Sequence, residues 1–331
     1  MKPKFEITED ILTLTADISE YVGRIGEYTK SKLSKNPMLR KTNRIRTIQG
    51  TLAIEQNTLS IEEVTAVLNG KTVLAPPKDI AEVKNAYEIY ESLDKLRVAS
   101  QADLCTAHGI MMRGLVPDAG EYRSIPVGVV NQNNEVIHLG TLPRYVPESM
   151  DGLFEWLRAS KLHPLIKSCV FHYEFEQIHP FADGNGRMGR LWHTLILSKW
   201  NPLFAWLPVE SMIYKNQPDY YKVLNACENA DNSTEFIFFM LTVIKKTICE
   251  AMEQVEEQDK KQVGAQVEEQ VNKILEFCKE PKSRDEIQAF CKIDGRKQFT
   301  SRYLKPLLES GKLVMTIPEK PNSRLQKYVA K

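Results

Sequence analysis

The sequence predicts a mainly α protein with two short β-hairpins, and three observations carry that expectation. Apolar residues recur at helical intervals through most of the 331 residues. The β-branched runs that flank a polar turn, the signature of a hairpin, fall at 127–139 and 313–330. Breaks at Asn36-Pro37, Asn69-Gly70 and Pro76-Pro77 cut the helical pattern into ordinary lengths.

In chain order, Ile11, Leu14, Ile18, Val22 and Ile25 place an amphipathic helix over 8–33, and a second runs over 39–55 despite Gly50. Ser60 and Glu63 form a capping box for a short helix that Asn69-Gly70 closes. Helices follow over 79–96 and 100–112. Residues 127–130 and 135–139 form the first hairpin. Segments 165–178 and 191–200 are apolar on nearly every side, which suits helices inside a core. A helix begins at Tyr220-Tyr221, and 234–248 is apolar throughout. The Glu-, Gln- and Lys-rich stretch 250–269 reads as a solvated helical linker. Helices over 271–278, from Ser283, and over 296–310 then precede the second hairpin, the element order of a winged helix.

Composition narrows the function classes. A hydrophobic fraction of 42% with 26% charged residues is globular rather than disordered, and a net charge of +1 gives no global field toward nucleic acid or membrane. Residues 1–14 lack the apolar run of a signal peptide or membrane span, so the expectation is a cytoplasmic protein with no membrane partner. Six cysteines are scattered singly, with no CxxC and no zinc spacing, and suit apolar filler positions.

Chemistry concentrates in His179-Pro180-Phe181-Ala182-Asp183-Gly184-Asn185-Gly186-Arg187-Met188-Gly189-Arg190, a short polar loop between two buried helices. Gly184 and Gly186 can expose their amides, and the next helix begins there, so its unpaired N–H groups and dipole favour an anion. Arg187 and Arg190, one turn apart, can approach the same anion with forked donors that match phosphate. Asp183 offers a hard oxygen for a Mg²⁺ shared with phosphates. His179 is the natural base at neutral pH. The ligand these residue types suit is a polyphosphate, and no GxxxxGK[ST] loop offers another site for one.

The segment fits HxFx[DE]GNGRxxR at every fixed position, and the chain thereby resembles the Fic (filamentation induced by cAMP) family of nucleotidyltransferases. The resemblance implies a Fic-type helical core that moves AMP from ATP to a Ser, Thr or Tyr hydroxyl of a protein, the chain itself included. His179 would deprotonate the hydroxyl, Asp183 would hold Mg²⁺, and Gly184, Asn185 and Gly186 would bind the α- and β-phosphates. Arg187 and Arg190 would neutralise the rest of the triphosphate, and Phe181 would pin the loop in the core. Thr51 and Glu55 match the family's inhibitory motif [ST]xxxE[GN], with Gln56 where the family has Gly or Asn. Gly120-Glu121-Tyr122-Arg123 resembles the segment before the family's flap. The flap would then be the 127–139 hairpin, holding a target segment by strand pairing and bordering the nucleotide near Ile137 and His138. Tyr220 and Tyr221 fit the adenine pocket, whose asparagine position holds Glu228, with Asn229 beside it.

The expected domains are 1–98, carrying the inhibitory motif; 99–249, the catalytic core; 250–266, the linker; and 267–331, the winged helix. Adenylylation of a protein restrained by Glu55 is the favoured activity. Removal of AMP, or transfer of another nucleotidyl or phosphoryl group at the same site, is the enzymatic alternative. A DNA-binding regulator with a nucleotide-sensing core is the rival from another class, and a homodimer stays open. From Pro281 onward there are twelve Lys/Arg against five Asp/Glu, with Arg296, Lys297, Arg302 and Lys305 on the recognition helix and Lys320, Arg324 and Lys327 on the wing. Such a face can grip DNA phosphates. The intact His179 weighs against pure sensing, which needs phosphate donors but no base.

Overall fold

Helix dominates because the apolar stripes find one another. The computed structural model of the chain describes residues 2–29, 37–130, 136–293, 295–321 and 323–331. It divides into two compact units, Met1–Met252 and Glu253–Lys331.

The first unit contains α1 (Glu9–Thr29), α2 (Pro37–Ile54), α3 (Ile61–Leu68), α4 (Pro77–Glu91) and α5 (Gln101–Met111). The hairpin β1 (Gly128–Val130) and β2 (Val136–Leu139) follows. Then come α6 (Val146–Ala159), α7 (Pro164–Ile178), α8 (Asn185–Trp200), α9 (Val209–Lys215), α10 (Gln217–Ala230) and the start of α11 (Thr234–Phe277). Ser60 caps α3 as its sequence implied, accepting from the Glu63 amide at 3.2 Å while Glu63 accepts from the Ser60 amide at 2.9 Å.

The core forms around α7 and α8, the most extensively packed helix pair. Phe171, Phe175 and Ile178 of α7 and Leu191, Trp192 and Leu195 of α8 are wholly buried. Trp192 meets its one polar obligation by donating Nε1–H to the Val98 carbonyl at 3.0 Å. Two buried helices therefore hold the loop between them rigidly.

Gly50 explains itself in packing. A Cβ there would lie 2.7 Å from the Ser211 Cα and 2.9 Å from the Glu210 carbonyl carbon, so α2 and α9 approach backbone to backbone. Gly50→Ala should force them apart and cost about 1–3 kcal/mol of stability, read as a lowered Tm. An unchanged Tm would mean that the neighbouring backbone yields freely.

β1 and β2 pair antiparallel, with Gly128 opposite Leu139 and a register shift between Val129 and Val130. The turn of this flap, 131–135, lies outside the described residues, as do the side chains of Ile137 and His138.

The expected apolar segment, linker and following helix are one helix, α11, of 44 residues. A lone Gly264 does not stop a helix, and no proline interrupts it. The second unit continues with α12 (Arg284–Cys291), capped by Ser283, then α13 (Arg296–Phe299) and α14 (Lys305–Glu309). Between α13 and α14 the helix widens to a π turn over Thr300–Leu304. Pro306 supplies the reason, since it has no N–H for the preceding turn. β3 (Leu313–Met315) and β4 (Tyr328–Ala330) pair antiparallel, and Lys282 bridges to Tyr328. Ile274, Cys278, Ile287, Phe299, Leu304, Leu307, Leu313 and Tyr328 form this unit's own core. No helix among the described residues is long and apolar enough to cross a membrane.

Candidate active site

The polar loop is held from three directions. From within, Asn185 turns its amide back on the loop: Oδ1 accepts from the Phe181 N–H at 2.9 Å and Nδ2 donates to the Phe181 carbonyl at 2.8 Å. From α5, the His108 ring stacks on Phe181 at 3.7 Å and 3°. Its Nδ1 accepts from the Gly120 amide at 2.8 Å, so Nε2 carries the proton and donates to the Asp183 carbonyl at 2.9 Å. Burial pushes the His108 pKa down, in keeping with a neutral ring.

From the segment before the flap, Arg123 makes the third set of contacts. It is 5% exposed and donates Nε–H to the His179 carbonyl at 2.6 Å, Nη2–H to the Ile178 carbonyl at 3.3 Å and to Thr141, and Nη1–H to the Ile125 carbonyl at 2.9 Å. Its own amide donates to Pro180 at 2.9 Å. One guanidinium thus joins both stems of the flap to the loop.

His179 ends α7 in the left-handed region, φ 53°, an uncommon conformation for a residue with a Cβ and one that the surrounding bonds impose. Its Nδ1 lies 3.2 Å from the Glu176 carbonyl, which can only accept. The proton therefore sits on Nδ1, and the basic lone pair is on Nε2. Gly184, φ 83°, precedes the first turn of α8, and a side chain there would strike the Met112 sulfur at 2.6 Å. Gly184, Asn185 and Gly186, at the start of α8, line a cavity of about 290 Å³, and the Gly184 amide donates to Asp183 Oδ1 at 2.6 Å. Its walls include His179, Asp183, Gly184, Asn185, Gly186 and Arg190 from the loop and α8, Glu55 from the end of α2, and Val127 and Gly128 from the flap.

Glu55 reaches this cavity because of how α2 ends. The Asn57 amide donates to Leu52 and the Gln56 amide to Ala53, with Gln56 in the left-handed conformation at φ 68°. This is a Schellman ending, and its left-handed position is the place for Gly or Asn. Gln56 adopts it while exposed, and the helix end is formed all the same. The Glu55 carboxylate then accepts from Arg190 Nη2 at 2.7 Å. Thr51 completes the arginine's shell, its Oγ1 accepting from Nε at 3.0 Å and its carbonyl from Nη2 at 3.1 Å. A Cβ on Gly186 would come within 2.4 Å of Glu55 Oε1, so the carboxylate lies directly over the start of α8. Burial of Arg190 disfavours its charge, but the Glu55 carboxylate, with Tyr220 and Tyr221, outweighs this and leaves its pKa raised.

Arg187, expected beside Arg190 at the phosphates, is turned elsewhere in this structure. It is 3% exposed and does not line the cavity. Nη1 donates to Glu82 at 2.9 Å and Nη2 to Asp183 at 3.3 Å. Glu82 is held in turn by Asn57 at 2.8 Å, which links α4 to the residue just after the inhibitory motif. Arg187 braces; Arg190 faces the ligand space.

At the far end of the cavity, Tyr220, Tyr221, Leu224, Asn225 and Glu228 contribute from α10. Tyr220 is buried and hydrogen-bonded to His172 at 3.1 Å. Burial, with Arg190 nearby, pushes the His172 pKa down to about 3, so the ring is neutral. Asn229 is not on the cavity wall. It donates to the Asn225 side chain at 2.8 Å, and Asn225, one turn earlier, is the asparagine that lines the cavity. Asp183, half exposed, is the loop's own carboxylate on the cavity wall. No cluster of three or more His, Cys, Asp or Glu forms a metal cage among the described residues. A half-exposed loop carboxylate of this kind suits a Mg²⁺ held mainly by phosphates and water.

The role of Arg123, and the presence of Glu82, His108 and Asn225 at the site, are not apparent from the sequence. Arg123 stood in a recognisable motif. Glu82 and His108 gave no signal, because their partners lie 105 and 75 residues away.

Residues 98–197 match the family model "Fic/DOC family", and residues 269–329 match "Filamentation induced by cAMP protein Fic-like, C-terminal domain". A protein adenylyltransferase Fic from Nematostella vectensis is 29% identical over 208 residues, covering 59% of this chain and 46% of that protein. A probable protein adenylyltransferase from Aquifex aeolicus (strain VF5) is 28% identical over 188 residues, covering 54% of this chain and 53% of its own length. The chain thus spans about half the length of these curated relatives. The crystal structure of a Fic family protein from Desulfovibrio desulfuricans G20 aligns over 100% of this chain and 98% of its own, with a TM-score of 0.74 and 41% identity. With that identity over essentially the full length of both chains, and with the loop at 179–190 inside the matched family region, the chain belongs to the Fic family.

Proposed function

We propose that this protein transfers AMP from ATP to a hydroxyl side chain of a protein and that Glu55 restrains the reaction. The observation that carries the reading is the convergence of His179, the residues opening α8 and Arg190 on one cavity that reaches the Tyr220 and Tyr221 end of α10. The relatives named as adenylyltransferases support the same chemistry.

In this reading adenine lies toward Tyr221 and Asn225, and the α- and β-phosphates rest on the amides of Gly184, Asn185 and Gly186. Arg190 takes the charge beyond them. A Mg²⁺ on Asp183 would neutralise phosphate charge when bound. A target segment pairs with the flap strand, which brings its hydroxyl to His179. Nε2 takes the hydroxyl proton, the oxygen bonds to the α-phosphorus, and the bond to the β-phosphate oxygen breaks to release pyrophosphate. Positioning and charge supply most of the rate, as the fixed loop requires. Glu55, by holding Arg190, denies the terminal phosphate its partner.

Incubating the Glu55→Gly protein with a cell lysate and either α- or γ-labelled ATP tests the reading. Label from the α position alone is expected. Label from the γ position would make the reaction phosphoryl transfer, and label from neither, in folded protein, would remove the activity.

The basic face of the C-terminal unit is smaller than its residue count implies. Arg296 pairs with Asp285 at 3.5 Å and Lys305 with Glu309 at 3.7 Å, all on exposed side chains. DNA binding there rests on charge alone. Its expected mark is an affinity that falls steeply with salt and a slope that Arg302→Ala with Lys305→Ala flattens; a salt-independent or absent interaction would assign this unit to protein contacts.

A further inference from the structure

A second cationic cleft opens beside the first half of α2. It has a volume of about 510 Å³, and none of its lining residues is shared with the cavity at the loop. Arg40, Lys41 and Arg44 line it together with Trp206, Tyr87 and a single acid, Glu91. Three positive side chains against one negative leave an excess of positive charge among the described lining residues.

The guanidiniums are built in rather than splayed into water. Arg44 is 4% exposed; its Nε donates to Glu91 at 2.9 Å and its plane lies 4.8 Å from the Trp206 ring centre. Arg40 lies 4.7 Å from the same ring. Stacking on Trp206 fixes both forks but leaves N–H groups over: Arg40 Nε and Arg44 Nη1 are buried with no hydrogen-bond partner among the described residues. Lys41 is exposed at the rim, donating to Asn69 at 2.8 Å. Packing alone would favour an aliphatic side chain in place of a buried donor without an acceptor. An acceptor carrying two negative charges matches the excess, and the forked donors match phosphate oxygens. Tyr87, 40% exposed on the same wall, offers a ring face to the group that carries the phosphate.

We propose that this cleft binds a phosphate-bearing small molecule, with Arg40, Lys41 and Arg44 as the phosphate grip. The site is separate from the loop cavity and does not rest on the reading of that cavity. Free phosphate and a phosphorylated aromatic compound share the recognised chemistry. The rings of Trp206 and Tyr87 and the size of the cleft admit the second as well as the first.

Calorimetry at fixed ionic strength with inorganic phosphate, pyrophosphate and AMP as probes tests it on the full chain. Arg40→Gln with Lys41→Gln should remove one class of sites, weakening it by roughly tenfold or more, while AMP transfer by the Glu55→Gly protein persists. Lys41→Glu, on an exposed side chain, should give the same loss if the double variant does not fold. AMP held more tightly than phosphate and weakened by Tyr87→Ala would identify a phosphorylated aromatic ligand; equal affinities indifferent to Tyr87 would identify free phosphate. Binding of every probe unchanged in both the double variant and Lys41→Glu would overturn the site and leave the two arginines as packing on Trp206.

Discussion

Replacing Glu55 with glycine should raise AMP transfer, including self-labelling, by roughly ten- to a hundredfold, because a reacting centre displaced by about an ångström can lose that much rate. Arg190 is almost fully buried and has three bonds, one of them to Glu55 at 2.7 Å. While the carboxylate stands over Gly186, a triphosphate must either displace it or lie with its terminal phosphate turned away. Either outcome takes the α-phosphorus out of line with the incoming hydroxyl. In Glu55→Gly the arginine keeps its two bonds to Thr51 and remains aimed at the cavity, now with a donor to spare. The partner variant separates this account from simple loosening of α2. Glu55→Gly combined with Arg190→Ala should gain little, since the group that was released is gone. Labelling unchanged from wild type in the folded single variant would mean that the ion pair has no bearing on turnover.

His179→Ala should lower transfer by roughly a hundred- to ten-thousandfold while leaving nucleotide binding nearly intact. In the proposed reading the phosphate contacts come from the amides of α8 and from Arg190, none of which depends on the imidazole. The backbone at position 179 is held through its carbonyl, which accepts from Arg123, and through its N–H, which donates to the Phe175 carbonyl, so the substitution removes the base and not the loop. Transfer rates for the Glu55→Gly protein with and without His179→Ala, beside ATP affinities for both, measure the two effects separately. Lost affinity with an unchanged rate at saturation would make His179 a binding residue.

The parts of this site that were legible in the sequence are those whose chemistry is local. The loop from His179 to Arg190 folds between two helices whose apolar spacing marks them as buried. The amide cradle follows from two glycines at a helix start. Long-range partners were another matter. Arg187 and Arg190 lie three apart, and spacing alone aims both at one anion; Glu82, on a helix 105 residues away, claims the first and Thr51 with Glu55 steadies the second. Gln56 read as a defect in a motif. Its left-handed backbone explains the family preference at that position and also why glutamine suffices, since the Schellman bonds form without help from the side chain. Asn229 missed the cavity wall by one turn: it shares a helix face with Asn225, and spacing along the sequence fixes that face but not how far along α10 the cavity extends. The same weakness of local signal split α11 into three segments, where backbone hydrogen bonding carries one helix through a charged stretch without a breaker.

The most direct test of the central claim is intact mass measurement of the purified Glu55→Gly protein after incubation with ATP and Mg²⁺, beside wild type and Glu55→Gly combined with His179→Ala. A mass gain of one adenylyl group in Glu55→Gly, with little or none in the other two, is the predicted result. Equal gain in the His179→Ala combination, or no gain in any of the three folded proteins, would contradict nucleotidyl transfer at this site under the restraint of Glu55.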